Sequence, residues 1–148
     1  VRALETLLAR KRRSGNVLLN IDMWDRWGSA HASAEERARY GAEADAAHRE
    51  RSEAVQGLDA LVARLRVEAP DAIVAWADAH DAFLAAFVAG LPDGGAPGST
   101  ASTARFVAEQ ERAAWAEVRR GERAWVDENV YYVSIDPDRY RAAFGIDP

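Results

Sequence analysis

Apolar residues recur every three or four positions along most of this chain, and the interruptions mark where helices should end. Ala3, Leu4, Leu7 and Leu8 share one helical face, so residues 2–13 are predicted to form a helix closing on the basic run "RKRR". Ser14, Gly15 and Asn16 then read as a stop followed by a new N-cap. A short second helix is predicted next, with Val17, Ile21, Trp24 and Gly28 on one face and Asn20 and Trp27 beside it.

The sharpest local signal is "SAEE" at residues 33–36, the pattern of a capping box. From there helical periodicity continues to Ala69, where Pro70 ends it. Its stripe is Tyr40, Ala44, Ala47, Arg51, Val55, Leu58, Val62 and Leu65. Gly41 and Gly57 each weaken this helix, and Gly41 is the place where a kink or break could fall.

Pro70 and Asp71 open another helix that reaches Gly90, and "LPDGGAPGST" at residues 91–100 reads as a connector. A long fourth helix is predicted over 103–128, with Val107, Glu111, Ala114, Val118 and Trp125 near one face. "NVYYVSI" at 129–135 is β-branched and aromatic and reads as an extended segment. Asp136 as N-cap, Pro137 at the first helical position and Gly145 as terminator frame a last short helix. The predicted fold is therefore all-α: a single domain over residues 1–148, a bundle of about four main helices with a short C-terminal helix.

Composition sharpens this picture. About 32 alanines inflate the 49% hydrophobic fraction, and five tryptophans supply the bulk they lack. Close helix approach with tryptophan filling the gaps is expected. The net charge of −5 disfavours nucleic-acid partners. "RKRR" is the local exception, and cations at a helix C-terminus account for it without a phosphate ligand. Lys11 is the single lysine among 19 basic residues, which with the alanine content suggests a GC-rich bacterial source. With no cysteine, disulfides and thiol chemistry are excluded. The apolar run "AFLAAFVAGLP" is about half of what a membrane span needs, and the N-terminus lacks a signal-peptide pattern. A soluble, cytoplasmic protein without membrane association is expected.

His80 raises the one chemical question. At 100° per residue, Asp78, Asp81 and Asp71 share a polar side of the 71–90 helix. His80 lies instead with Ile73, Trp76, Phe83, Leu84 and Phe87, so its partner must come from another helix. Two other stripes carry polar interruptions: Arg51 with His48 one turn earlier, and Glu111. In antiparallel helices these groups would meet in one layer, with Arg51 paired to Glu111 and His80 donating to Glu111 or a carbonyl. Such a layer reads as satisfied core polarity in the first place and as a ligand or catalytic pocket in the second.

Familiar catalytic patterns are missing. There is one Asp-x-x-His, Asp45 to His48, and no Glu-x-x-His, which argues against a dimetal carboxylate site. Zinc motifs, a phosphate-binding Gly-Lys-Ser/Thr loop and a Gly-x-Ser-x-Gly elbow are absent as well. No cofactor is expected. The 129–135 segment has strand character without a strand partner, so it packs on the bundle in the first place or, in the second, pairs with another chain, with Tyr131 and Tyr132 as the candidate contacts. The leading expectation is a small acidic bacterial protein that binds another protein or itself, as an adaptor or immunity-type neutraliser, without catalysis. The alternative is a small enzyme or ligand-binding bundle with a polar pocket around His80, Glu111, Arg51 and His48.

Overall fold

The computed structural model describes residues 1–92, 96–127 and 137–144. Their regular elements are α1 (Arg2–Trp27), α2 (Ala34–Glu68), α3 (Pro70–Ala89), α4 (Thr100–Arg120) and α5 (Pro137–Phe144). No strand occurs among the described residues, so the all-α class read from the periodicity is the class the chain adopts. The 129–135 segment, the Asp136 cap and the Gly145 stop lie outside the described residues.

The expected break at residues 14–16 does not occur. The Ser14 hydroxyl donates back to the carbonyls of Arg10 (3.0 Å) and Lys11 (2.9 Å), so it works inside a helix and caps none. One glycine costs a helix only about 1 kcal/mol, which packing against α2 offsets. "RKRR" consequently sits in mid-helix, with Lys11 and Arg12 buried, and not at a helix end.

At α2 the local reading holds. Ser33 Oγ accepts from Glu36 N and Glu36 Oε2 accepts from Ser33 N, both at 3.1 Å. The helix then runs 35 residues, about 52 Å at 1.5 Å per residue, straight through Gly41 without a break. Its buried residues are Ala47, Ala54, Leu58 and Val62, while Arg51, expected on that stripe, is exposed.

α4 differs from its predicted span at both ends. Ser99 Oγ accepts from Ser102 N at 3.2 Å, which starts the helix at Thr100. Gly121, at φ 83°, ends it well before residue 128. The non-helical residues 121–127 then fold back over the first two helices. Arg66 donates to the carbonyls of Val118 (3.1 Å) and Arg123 (2.7 Å), Trp125 Nε1 donates to Asp59 Oδ1 at 2.9 Å, and Lys11 pairs with Asp127.

Two antiparallel hairpins make up the body. α1 packs along α2, with Leu7 against Gly57, Arg10 near Glu50 and Glu53, and Trp24 on Tyr40. α3 packs along α4, where Asp81 pairs with Arg112 and Asp78 with Arg119. These aspartates do lie on the outer side of α3, as the wheel predicted, but they bond α4 as well as meeting solvent. The Asp81 hydrogen bond holds Arg112 above the ordinary arginine range, with burial opposing it. At the foot of α4, hydrogen bonds from Arg120 hold Glu122 below the usual carboxylate range.

α2 meets α3, and α5 packs on α3, which closes one core. That core takes Leu4 and Leu8 from α1, Leu58 and Val62 from α2, Ile73, Trp76, Phe83, Leu84 and Phe87 from α3, Trp115 and Val118 from α4, and Tyr140 and Phe144 from α5. By length and composition α3 is long and apolar enough to cross a membrane; in this fold its apolar face is the wall of that core.

Burial stops abruptly along the first hairpin. α1 has buried residues up to Ser14 and α2 only from Ala47 onwards; none of residues 15–46 is buried. The cause is a length mismatch. Helices of 20 and 21 residues, α3 and α4, cannot cover partners of 26 and 35. About 20 Å of the α1–α2 hairpin therefore projects beyond the body as an arm.

Candidate functional site

Two places in this fold gather the groups from which function could be built. The first is the buried polar cluster inside the body. Glu5, on the flank of the Leu4–Leu8 stripe, is carried into the core by the first turn of α1 and is fully buried. Its Oε1 accepts from Trp76 Nε1 at 2.5 Å and from His80 Nε2, and its Oε2 accepts from the Tyr140 hydroxyl at 3.2 Å. Arg12, seven residues further along the same face of α1, donates to that hydroxyl at 2.8 Å and lies over the Tyr140 ring at 4.9 Å.

His80 is thus fully buried, and its partner does come from another helix. That partner is Glu5 of α1, a residue the sequence reading passed over. The imidazole is clamped between Trp115, whose ring centroid is 4.0 Å away at 10°, and Phe144, at 4.2 Å and 21°. Nε2 faces a carboxylate, and both ring faces are covered by aromatic rings.

The four residues expected in one polar layer do not share one environment. His80 and Glu111 are both buried, Glu111 one turn before Trp115 on α4. Arg51 and His48 are exposed on α2, and Arg51 forms no ion pair with Glu111. Helical phase put Arg51 beside the buried Ala47, Ala54 and Leu58, but its long side chain reaches water from there. Three described cavities are lined by other residues than His80, Glu5 and Glu111. Among the described residues no group of three His, Asp or Glu side chains could hold a metal.

Glu5, Arg12, Trp115 and Tyr140 were the missed members. A signal existed for two of them: Glu5 and Arg12 are seven apart, opposite in charge, and border an apolar stripe, as paired polar groups in a helical core do.

The second place is the arm. Its inner seam holds Leu18, Ile21 and Trp24 of α1 against Tyr40 and Ala44 of α2, all half-buried, with the Trp24 and Tyr40 rings 4.1 Å apart. A groove of about 510 Å³ runs along this seam and is flanked by Asp22, Asp25, Arg37 and His48. The tip is well fastened. Besides the capping box, Arg37 donates to the Ser29 carbonyl at 2.7 Å and Ser29 Oγ to the Asp25 carbonyl at 2.6 Å.

Outside the seam α1 bears large apolar side chains that stay exposed. Leu19 is 54% exposed, Met23 46% and Trp27 75%, and they follow one another at four-residue spacing. By helical phase they lie on the side of α1 that carries Glu5 and Arg12. One face of α1 is therefore sealed in its first half by α3 and α5 and bare in its second. Tyr131 and Tyr132, the partner contacts expected from the sequence, lie outside the described residues.

Comparison of the chain with models of protein families, with curated proteins and with solved structures finds no match.

Proposed function

We propose that this protein acts by binding a protein partner through the projecting α1–α2 arm, without chemistry of its own. The observation that supports this reading is the arm itself: 32 consecutive residues, 15–46, none of them buried, on a rigidly capped hairpin that displays Leu19, Met23 and Trp27. Scattered apolar residues are ordinary on a protein surface. An aligned stripe of Leu, Met and Trp on one helix is the kind of face that another helix or groove covers. Tryptophan and methionine are also enriched in interface cores.

The bacterial source and the cytoplasmic location inferred from composition belong to this same reading, as do the adaptor and immunity-type roles. The alternative, a pocket around His80, Glu111, Arg51 and His48, would have to join two buried residues with two exposed ones.

The test compares tagged wild-type protein with a Leu19→Glu/Trp27→Glu variant in affinity capture from source cells and in light scattering. Both side chains are exposed, so the variant should keep its helicity and unfolding midpoint. Loss of whatever protein the wild type holds, foreign or self, is the expected result. Retention of that protein with unchanged affinity would remove the arm from the function.

A further inference from the structure

Resting on the arm reading, we infer that the partner is a second copy of this chain, docked antiparallel so that the two α1 helices pair along their exposed stripes about a two-fold axis at Met23, each α2 lying behind its own α1. The argument is self-complementarity. In an antiparallel helix pair centred on residue 23, position 19 of one chain faces position 27 of the other, and 23 faces 23. Leu19 then packs on Trp27 of the copy twice over, with the two Met23 side chains filling the centre. A large residue meets a smaller one at each outer layer, and the flexible one lies on the axis.

Charge at the rim agrees. Asp22 and Arg26 flank the stripe on one side and already bond each other at 3.1 Å along α1. Reversing the helix direction sets the acidic position of one chain against the basic position of the other. Asp22 of each copy then faces Arg26 of its mate, and the flank attracts its own image. A stripe flanked by one sign of charge would repel a copy of itself; this one does not.

Geometry supplies the remaining condition. The arm extends about 20 Å beyond α3 and α4, so two arms overlap along their length without the bodies colliding. The body buries one face of α1 with α3 and α5, and the copy's α1 takes over that task along the arm. A helix face of this length is at the low end of specific interfaces, so association is expected to be weaker than about 1 µM and strongly concentration-dependent.

The experiment is sedimentation equilibrium of the full chain from micromolar to several hundred micromolar protein. Wild type should pass from monomer to dimer. Met23→Glu, which puts two carboxylates on the axis, should weaken the dimer at least tenfold, whereas Val67→Glu, on an 84% exposed residue of α2 outside the arm, should not. Asp22→Arg should weaken it, and adding Arg26→Asp should restore it. Because the chain has no cysteine, Met23→Cys should crosslink to itself on mild oxidation and Val67→Cys should not.

A wild type that stays monomeric throughout overturns the inference, as does a dimer indifferent to Met23→Glu. The two readings separate cleanly. A monomer that binds a different protein in a Met23-dependent way overturns the copy as partner and leaves the arm as the binding surface. A monomer whose arm variants alter no interaction overturns both.

Discussion

The indole Nε1 of Trp76 donates to Oε1 of Glu5 across 2.5 Å, joining two helices through side chains 71 residues apart in sequence. On that same oxygen falls the bond from His80, and the second oxygen takes the Tyr140 hydroxyl. One carboxylate thus ties α1 to α3 and α5, and its removal takes an acceptor from three buried donors.

Glu5→Ala is therefore expected to lower stability by about 3–5 kcal/mol, the scale of breaking a buried charged network from one side. Glu5→Gln should cost less. Its amide oxygen can serve Trp76 and His80, and the Tyr140 hydroxyl can turn round to accept from the amide nitrogen. Urea unfolding of both variants measures the difference, and an equal loss for the two would show that charge, not hydrogen bonding, holds the cluster.

His80→Leu and Glu5→Leu should couple. Each alone leaves the other's polar group short of a partner, at about 1–3 kcal/mol, while the double variant removes both ends of the bond. The double is expected to be more stable than the sum of the singles by at least 1 kcal/mol. Additive losses in the cycle would mean that the two side chains contribute only as packing.

Three helical glycines should respond differently to alanine. A Cβ at Gly15 or Gly41 meets nothing within 4 Å, so each substitution should stabilise by about 0.5–1 kcal/mol through helix propensity. At Gly57 the new methyl meets Leu7 Cδ2 at 3.1 Å, and the gain should be largely cancelled as Leu7 shifts. Gly121→Ala should destabilise by about 1 kcal/mol, because the residue holds φ 83°. Thermal melts of the four variants rank these effects.

Amide exchange should divide the first hairpin in two. Residues 18–27 and 36–44, with no buried side chain among them, are expected to open locally, while α3 exchanges only on global unfolding. If arms pair, protection in those two stretches should rise with protein concentration and fall in Met23→Glu. Protection of the arm equal to that of α3 in the dilute monomer would contradict the picture of a bare hairpin.

Local physics decided a good part of this molecule. Pro70 ends one helix and opens the next, Ser33 and Glu36 cap α2 from within four residues, and helical phase placed His80 inward and its neighbouring aspartates outward. These depend on dihedral preferences and on residues within a turn or two, so a sequence displays them. Local signals also misled at residues 14–16, where stop residues were overruled by packing along α2, and at Arg51, whose long side chain reaches water from a stripe of buried neighbours.

What only the tertiary structure decided is which group answers His80 and which faces go uncovered. Glu5 lies 75 residues from His80, and nothing in periodicity selects it over Glu111. The bare stripe of Leu19, Met23 and Trp27 is as apolar as a core stripe. It is exposed because the helices that seal the first half of α1 run out before its second half, a fact that belongs to the relative lengths and placement of four helices and to none of them alone.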